Sequence, residues 1–303
     1  MGYLFKNHEP VSDGIKRIAL EQLDKAVEHT TPEVKNRDEA IHAVRVAFDK
    51  LRALLRLARA KHNDDIITHE NACYRDAGRR LSEMRDTTAM IAAFDTLTEH
   101  YADQLAPDDF ATLRTPFIRI RRKQQSDQNE ALADVARMLK SARPRVTDWP
   151  VDDDGFSALR QGLTRSYKKG PTSMAQAKPS VGNLHEWRRR VKDLGYQVRL
   201  FKPIWPRMLE GLADEIERLA DYLSDDHDLA ILRQTLLQQP PEDRTQLEAL
   251  VALIDQRRGE LEVEATRLGE WIYVEKPNAF VRRFEVYWRA WCAETKVDAI
   301  AVR

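Results

Sequence analysis

The 303-residue chain balances 49 Lys and Arg against 49 Asp and Glu, with 42% hydrophobic residues, 8% aromatic residues and 11 glycines. That composition favours helices over an all-β sandwich, and the length fits one large domain or two of about 150 residues. The longest apolar run, the six residues Ala89 to Phe94, falls far short of the roughly 20 a membrane span needs; with no signal-like apolar segment at the N-terminus and only Cys73 and Cys292, the reading is a soluble, cytoplasmic protein of a reducing compartment.

Punctuation residues set out the helices in order. Ser12 is positioned to cap a helix over about 13–29, and Asn36 or Asp38 one that runs to about 61. Asp64 opens a segment expected to break near Asp86-Thr87-Thr88 and continue to about 103. Pro107-Asp108-Asp109 reads as a helix start, with Pro in the first turn and acids at the positive end of the dipole. That helix is expected to reach about 141, with Pro116 a kink. Pro144–Gly155, with Asp152, Asp153 and Asp154, reads as a linker. A helix over about 154–169 then meets a Gly, Pro and Ser-rich loop, Gly170–Asn183. Further helices are expected at about 184–202, 206–224, 226–238, 243–272 and 277–297. No stretch alternates polar and apolar residues, so no strand is predicted and the expected class is all-α.

The chain also resembles itself. Ile41-His42-Ala43-Val44-Arg45 aligns with Leu184-His185-Glu186-Trp187-Arg188 at an offset of 143. Leu81–Asp86 aligns with Leu223–Asp228 at an offset of 142. Two landmarks in one order point to a duplicated helical unit with approximate two-fold symmetry, residues 10–143 and 154–297, within a single domain.

In each unit the first landmark opens a two-striped helix. Ile41, Val44, Phe48, Leu51, Leu55 and Ala58 form one apolar face. One residue on, His42, Arg45, Asp49, Arg52, Arg56 and Arg59 step identically, about 100° around the helix. The second copy repeats the pattern. Leu184, Trp187, Val191, Leu194, Val198 and Phe201 form the seam, followed by His185, Arg188, Lys192, Gly195, Arg199 and Lys202. Each cationic line is roughly 25 Å long. Like charges at i, i+3/i+4 repel by a few tenths of a kcal/mol per pair, and the chain still puts six bases against one acid in residues 41–61 but eight acids against four bases in 242–270. Stripes that converge near a two-fold axis would form one cationic groove for an extended polyanion. A histidine there can gain a proton beside an anion. Arg79, the cluster Arg122 and Lys123, the cluster Tyr167, Lys168 and Lys169, and the pair Arg282 and Arg283 are further candidates for that surface.

Other chemistries find less support. A metal site needs partners where Arg45 and Arg188 stand. His227-Asp228 resembles the dyad of metal-dependent HD phosphohydrolases, but its repeat partner is Arg85-Asp86; Asp86 and Asp228 read instead as helix-start or Arg-orienting residues. No nucleophile elbow, Walker loop, HExxH or dinucleotide motif occurs, and no cofactor is expected. Nucleic-acid binding through the same stripes is the main alternative, although Phe48, Trp187 and Phe201 fall on the apolar seams rather than beside them.

The two histidine-led segments, His42…Arg45-Val46-Ala47…Leu51-Arg52 and His185…Arg188…Val191-Lys192…Leu194…Tyr196, together with Leu81–Asp86 and Leu223–Asp228, resemble the two halves of a CHAD domain, the conserved-histidine α-helical domain. The resemblance runs from about Pro10 to about Trp291. It implies two pseudo-symmetric helical bundles around a basic groove or pore that binds inorganic polyphosphate, without catalysis, in proteins associated with polyphosphate granules. By position it places His42, Arg45, Arg52, His185, Arg188 and Lys192 on the basic surface and matches Tyr196 to a family aromatic. Asp49 stands where the family has a base, and Gly195 where it has Arg. The ExExK signature of a triphosphate-tunnel (CYTH) domain, common beside such domains, is absent from the sequence.

Overall fold

The structure is a computed structural model that describes residues 2–7, 9–31, 33–59, 64–105, 110–151, 154–177, 181–238 and 244–301. Within them, the side chains of 64, 83–86, 123–127, 181–183 and 295–301 lie outside the description. The described residues form helices and no strand: α1 (Val11–Glu28), α2 (Arg37–Ala58), α3 (Asp64–His100), α4 (Ala111–Arg145), α5 (Ser157–Ala177), α6 (Val181–Leu200), α7 (Pro206–Gln238), α8 (Arg244–Ile272) and α9 (Pro277–Ala301).

The expected apolar seams are buried. Ile41, Val44, Phe48, Leu51, Leu55 and Ala58 on α2 are each at most 3% exposed, and Trp187, Val191, Leu194 and Val198 on α6 at most 1%. Each side chain of this size stabilises the fold by about 1.5–3 kcal/mol on burial. Asn36 caps α2 by accepting from the Glu39 amide at 3.3 Å. Asp38, the other candidate, instead accepts from Arg121 at 2.6 Å and Gln128 at 2.9 Å.

Several boundaries differ from expectation, each for a physical reason. Ser12 does not cap α1, whose N-cap is Pro10; its hydroxyl donates to Asp154 at 2.7 Å. α3 passes unbroken through Asp86-Thr87-Thr88, and α7 through Ser224-Asp225-Asp226. Asp and Thr cost a helix interior only a few tenths of a kcal/mol. The apolar residues on either side, Leu81, Met90 and Phe94 on α3 and Leu223, Leu229 and Leu232 on α7, are buried and outweigh that. Asp86 and Asp228 are therefore mid-helix residues, not helix starts. Pro107-Asp108-Asp109 lies outside the described residues, and α4 begins at Ala111 after Phe110, a buried residue in the left-handed region at φ 65°.

The segment read as a linker is anchored instead. α4 continues through Pro144 to Arg145, a short 3-10 turn follows at Val146–Asp148, and Val146 and Trp149 are buried; Asp152 and Asp153 lie outside the described residues. α5 runs on through Gly170 and Pro171 to Ala177. Gly170 serves close packing rather than a turn, since a Cβ there would stand 2.3 Å from the Tyr273 ring.

α1 packs on α2, α2 on α3 and α3 on α4; α5 packs on α6, α6 on α7 and α7 on α8. Across these two series α2 meets α6 and α3 meets α7. The α2–α6 contact is locked by Gln197, fully buried, whose amide donates to the Ala53 carbonyl at 3.0 Å. Two apolar cores result. The larger gathers α1, α2, α5, α6 and α9 with one end of each long helix. The smaller joins the far ends of α3 and α7 to the near ends of α4 and α8. Each core draws on helices from both the α1–α4 and the α5–α8 series.

Candidate functional site

Where α2, α3 and α6 meet they enclose a cavity of about 240 Å³. α2 contributes His42, Arg45, Asp49, Arg52 and Arg56, α3 Tyr74, Arg75, Arg79 and Ser82, and α6 His185, Arg188, Arg189, Lys192, Asp193 and Tyr196. Eight lining side chains are cationic and two are carboxylates. The one-residue offset between seam and stripe produces this arrangement. Once the seams are buried, Arg45, Arg52 and Arg56 on α2 and Arg188 and Lys192 on α6 stand at the edge of the α2–α6 contact and line the space between, whereas Arg199 and Lys202 pair with Glu217 and Glu210 on α7.

The two carboxylates tie the walls together. Asp49 lies 3.7 Å from Arg52 on its own helix and 3.5 Å from Lys192 on α6. Asp193 is buried and pairs with Arg56 across the α2–α6 contact, with Arg190 at 3.8 Å. Burial pushes the Asp193 carboxyl up, opposed by Arg56, Arg190 and Arg52. Burial and the neighbouring Arg56 charge push Arg52 down to about 10, partly offset by Asp49. Lys192 is likewise lowered by burial, with Asp49 opposing. Crowding of like charge in a half-dry cleft raises the free energy of the cationic forms, which an anion would relieve. Arg188 is held from behind: its Nε donates to Ser224 Oγ at 2.8 Å, and that hydroxyl donates to the Ala220 carbonyl at 2.6 Å.

Two imidazoles are pushed down from the ordinary histidine value. Burial, then Arg188 and Arg189, pushes His185 down. His227, from α7, packs against it and is pushed down to about 3 by burial, then Arg188. Its ring neighbour is therefore another histidine. Among the described residues no group of three or more His, Cys, Asp or Glu is placed to hold a metal ion.

Of the residues singled out from sequence, His42, Arg45, Arg52, Arg56, Arg79, His185, Arg188 and Lys192 line the cavity together. Others do not. Tyr167 is fully buried, its hydroxyl donating to the Ile272 carbonyl at 3.0 Å and its ring stacked on Phe280, so it is a core residue and offers no surface to a ligand. Arg199 pairs with Glu217 on α7. Arg283 pairs with Glu275 and lies over the Phe280 ring at 5.5 Å. Arg122, Lys168 and Arg282 are exposed and not part of the lining, Lys169 stands outside the lining but near Arg56 and Asp193, and the Lys123 side chain lies outside the described residues. On α7, buried Asp226 lies 2.8 Å from Arg258.

Sequence reading missed Arg75, Arg189 and Asp193. Arg75, Arg79 and Ser82 step by 4 and 3 along α3, a stripe visible once that helix is taken as continuous. Asp193 follows Lys192 with no periodic signal, and only the α2–α6 contact gives it a partner. Gly195 lies against α7, where a Cβ would meet Ile216 Cγ2 at 3.1 Å, so a long side chain is excluded unless Ile216 shifts.

The CHAD domain profile matches residues 17–237 of the chain. A solved structure, "Crystal structure of the CHAD domain from the plant Ricinus communis", superposes with a TM-score of 0.62 over 88% of this chain and 93% of that one, at 16% identity, which is a likeness of fold. No curated protein matches.

Proposed function

The chain belongs to the CHAD domain family, and from that premise we propose that it binds inorganic polyphosphate, without cleaving it, in the cavity between α2, α3 and α6. The observation that carries this reading is the segregation of charge. A chain of zero formal net charge gathers eight cations against two acids in one cleft. Polyphosphate carries about one negative charge per internal unit, so each unit seated there meets a charge-assisted hydrogen bond, with Arg favoured for its planar fork. Release of counterions adds to the driving force. The aromatic residues of this region, Phe48, Tyr74, Trp187 and Tyr196, are buried, at most 9% exposed, which leaves them poorly placed to stack on unpaired bases and disfavours single-stranded RNA.

The same reading takes residues 10–143 and 154–297 as two copies of one unit, supported by the matching order of helix pairings, α1 through α4 and α5 through α8. It also places the protein in the cytoplasm, at polyphosphate granules. The test is titration with orthophosphate, tripolyphosphate and long-chain polyphosphate at two salt concentrations, with single-stranded RNA as competitor. Affinity should rise with chain length and fall steeply with salt, and RNA should displace the long chain poorly. Equal affinity for all three phosphates would overturn the reading, and steady release of orthophosphate would overturn its non-catalytic part.

A further inference from the structure

His185 on α6 forms part of the cavity wall. His227 on α7 packs behind it, ring centroids 4.7 Å apart and planes at 41°. His185 Nδ1 is buried with no hydrogen-bond partner. The charged and titratable groups around the pair come from four helices. α2 supplies Arg45 beside His227 and, on the same cavity wall, His42. α6 supplies Glu186, Arg188 and Arg189 around His185. From α7, Asp225 approaches Arg188, which Ser224 holds in place. α3 adds Arg79 and Ser82 to the wall.

Burial depresses both imidazoles, and Arg188 and Arg45 add repulsion. These guanidiniums are the groups a polyanion would neutralise. A phosphate oxygen seated on Arg45 and Arg188 cancels their repulsion and itself attracts a proton. We propose that the His185–His227 pair takes up a proton from solvent when a phosphate chain occupies the cavity, so that binding at this site tightens as pH falls. This rests on the polyphosphate reading and adds His227, from a fourth helix, to the site. The proton passes from buffer to an imidazole nitrogen, and no other bond changes. The sign follows from linkage: a group whose proton affinity is higher in the complex than in the free protein strengthens binding as pH falls between the two values.

Calorimetric titration of the full chain with long-chain polyphosphate at constant salt, in two buffers of different ionisation heat, measures the proton directly. Net uptake of up to one proton per site is expected on binding, with affinity gaining up to about tenfold per pH unit at the steepest point as pH falls. The double variant His185→Asn, His227→Gln, checked for helical circular dichroism, should lose that uptake and flatten the slope. Binding of the unmodified protein with no proton uptake overturns this inference and leaves the polyphosphate reading standing. So does a slope unchanged in a folded double variant. Absence of binding at any pH overturns both.

Discussion

Arg188 shows how much one side chain in the site depends on its support. Its Nε donates to Ser224 Oγ at 2.8 Å, which holds the guanidinium against α7 while it lines the cavity. Losing two charge-assisted hydrogen bonds costs about 3 kcal/mol, or about a hundredfold in affinity. Reversing Arg45 and Arg188 to Glu together should therefore abolish measurable polyphosphate binding by titration, with helical circular dichroism unchanged because both lie off the buried seams. Asp49 acts in the opposite direction. It stands within 4 Å of Arg52 and Lys192 and competes with an incoming phosphate for both. Asp49→Asn should raise affinity about fivefold, equivalent to about 1 kcal/mol for charges about 4 Å apart with water-like screening. An unchanged or lower affinity in the same titration would show that Asp49 is not a competitor. At this scale the sequence was most legible where a residue follows periodicity: His42, Arg45, His185 and Arg188 were placed by spacing alone. Tyr167 was misread because a Tyr beside two lysines looks like surface, and only the packing of Phe280 and Tyr273 reveals the core around it.

Among the elements, close approach matters more than intrinsic preference. Gly162 lets α5 lie on α2 so tightly that a Cβ would stand 1.9 Å from the Leu57 carbonyl oxygen. Gly162→Ala must push the two helices apart and should destabilise by about 2–3 kcal/mol, as overpacked cores do. Gly259 in α8 has nothing within 4 Å of such a Cβ, so Gly259→Ala should stabilise by about 0.5–1 kcal/mol. Denaturant midpoints should thus move in opposite directions. A Gly162→Ala protein as stable as the parent would refute the packing argument. Helix existence was legible from seams and caps, since Asn36 and the steps of α2 and α6 carry it locally. Continuity was not. The unbroken runs of α3, α5 and α7 are decided by burial on both sides of Asp86, Gly170 and Ser224, and by Tyr273 arriving from α8, none of which a local window contains.

Taken as a whole, the molecule positions the cleft by sharing its cores. The larger core holds α2 and α6 side by side, and the smaller clamps the far ends of the α3–α4 and α7–α8 pairs together. The sequence shows two matching landmarks at offsets of 143 and 142, but not that each core draws on helices from both ends of the chain, because long-range helix contacts leave no periodic trace. That arrangement turns two separate cationic lines into walls of one cavity, and the binding proposal depends on it. The most direct measurement is a crystal structure of the protein grown with tripolyphosphate. Phosphate density in the cavity, within hydrogen-bonding distance of Arg45 on α2 and Arg188 on α6, is the predicted result. Ordered phosphate bound only elsewhere, with this cleft holding solvent, would contradict it.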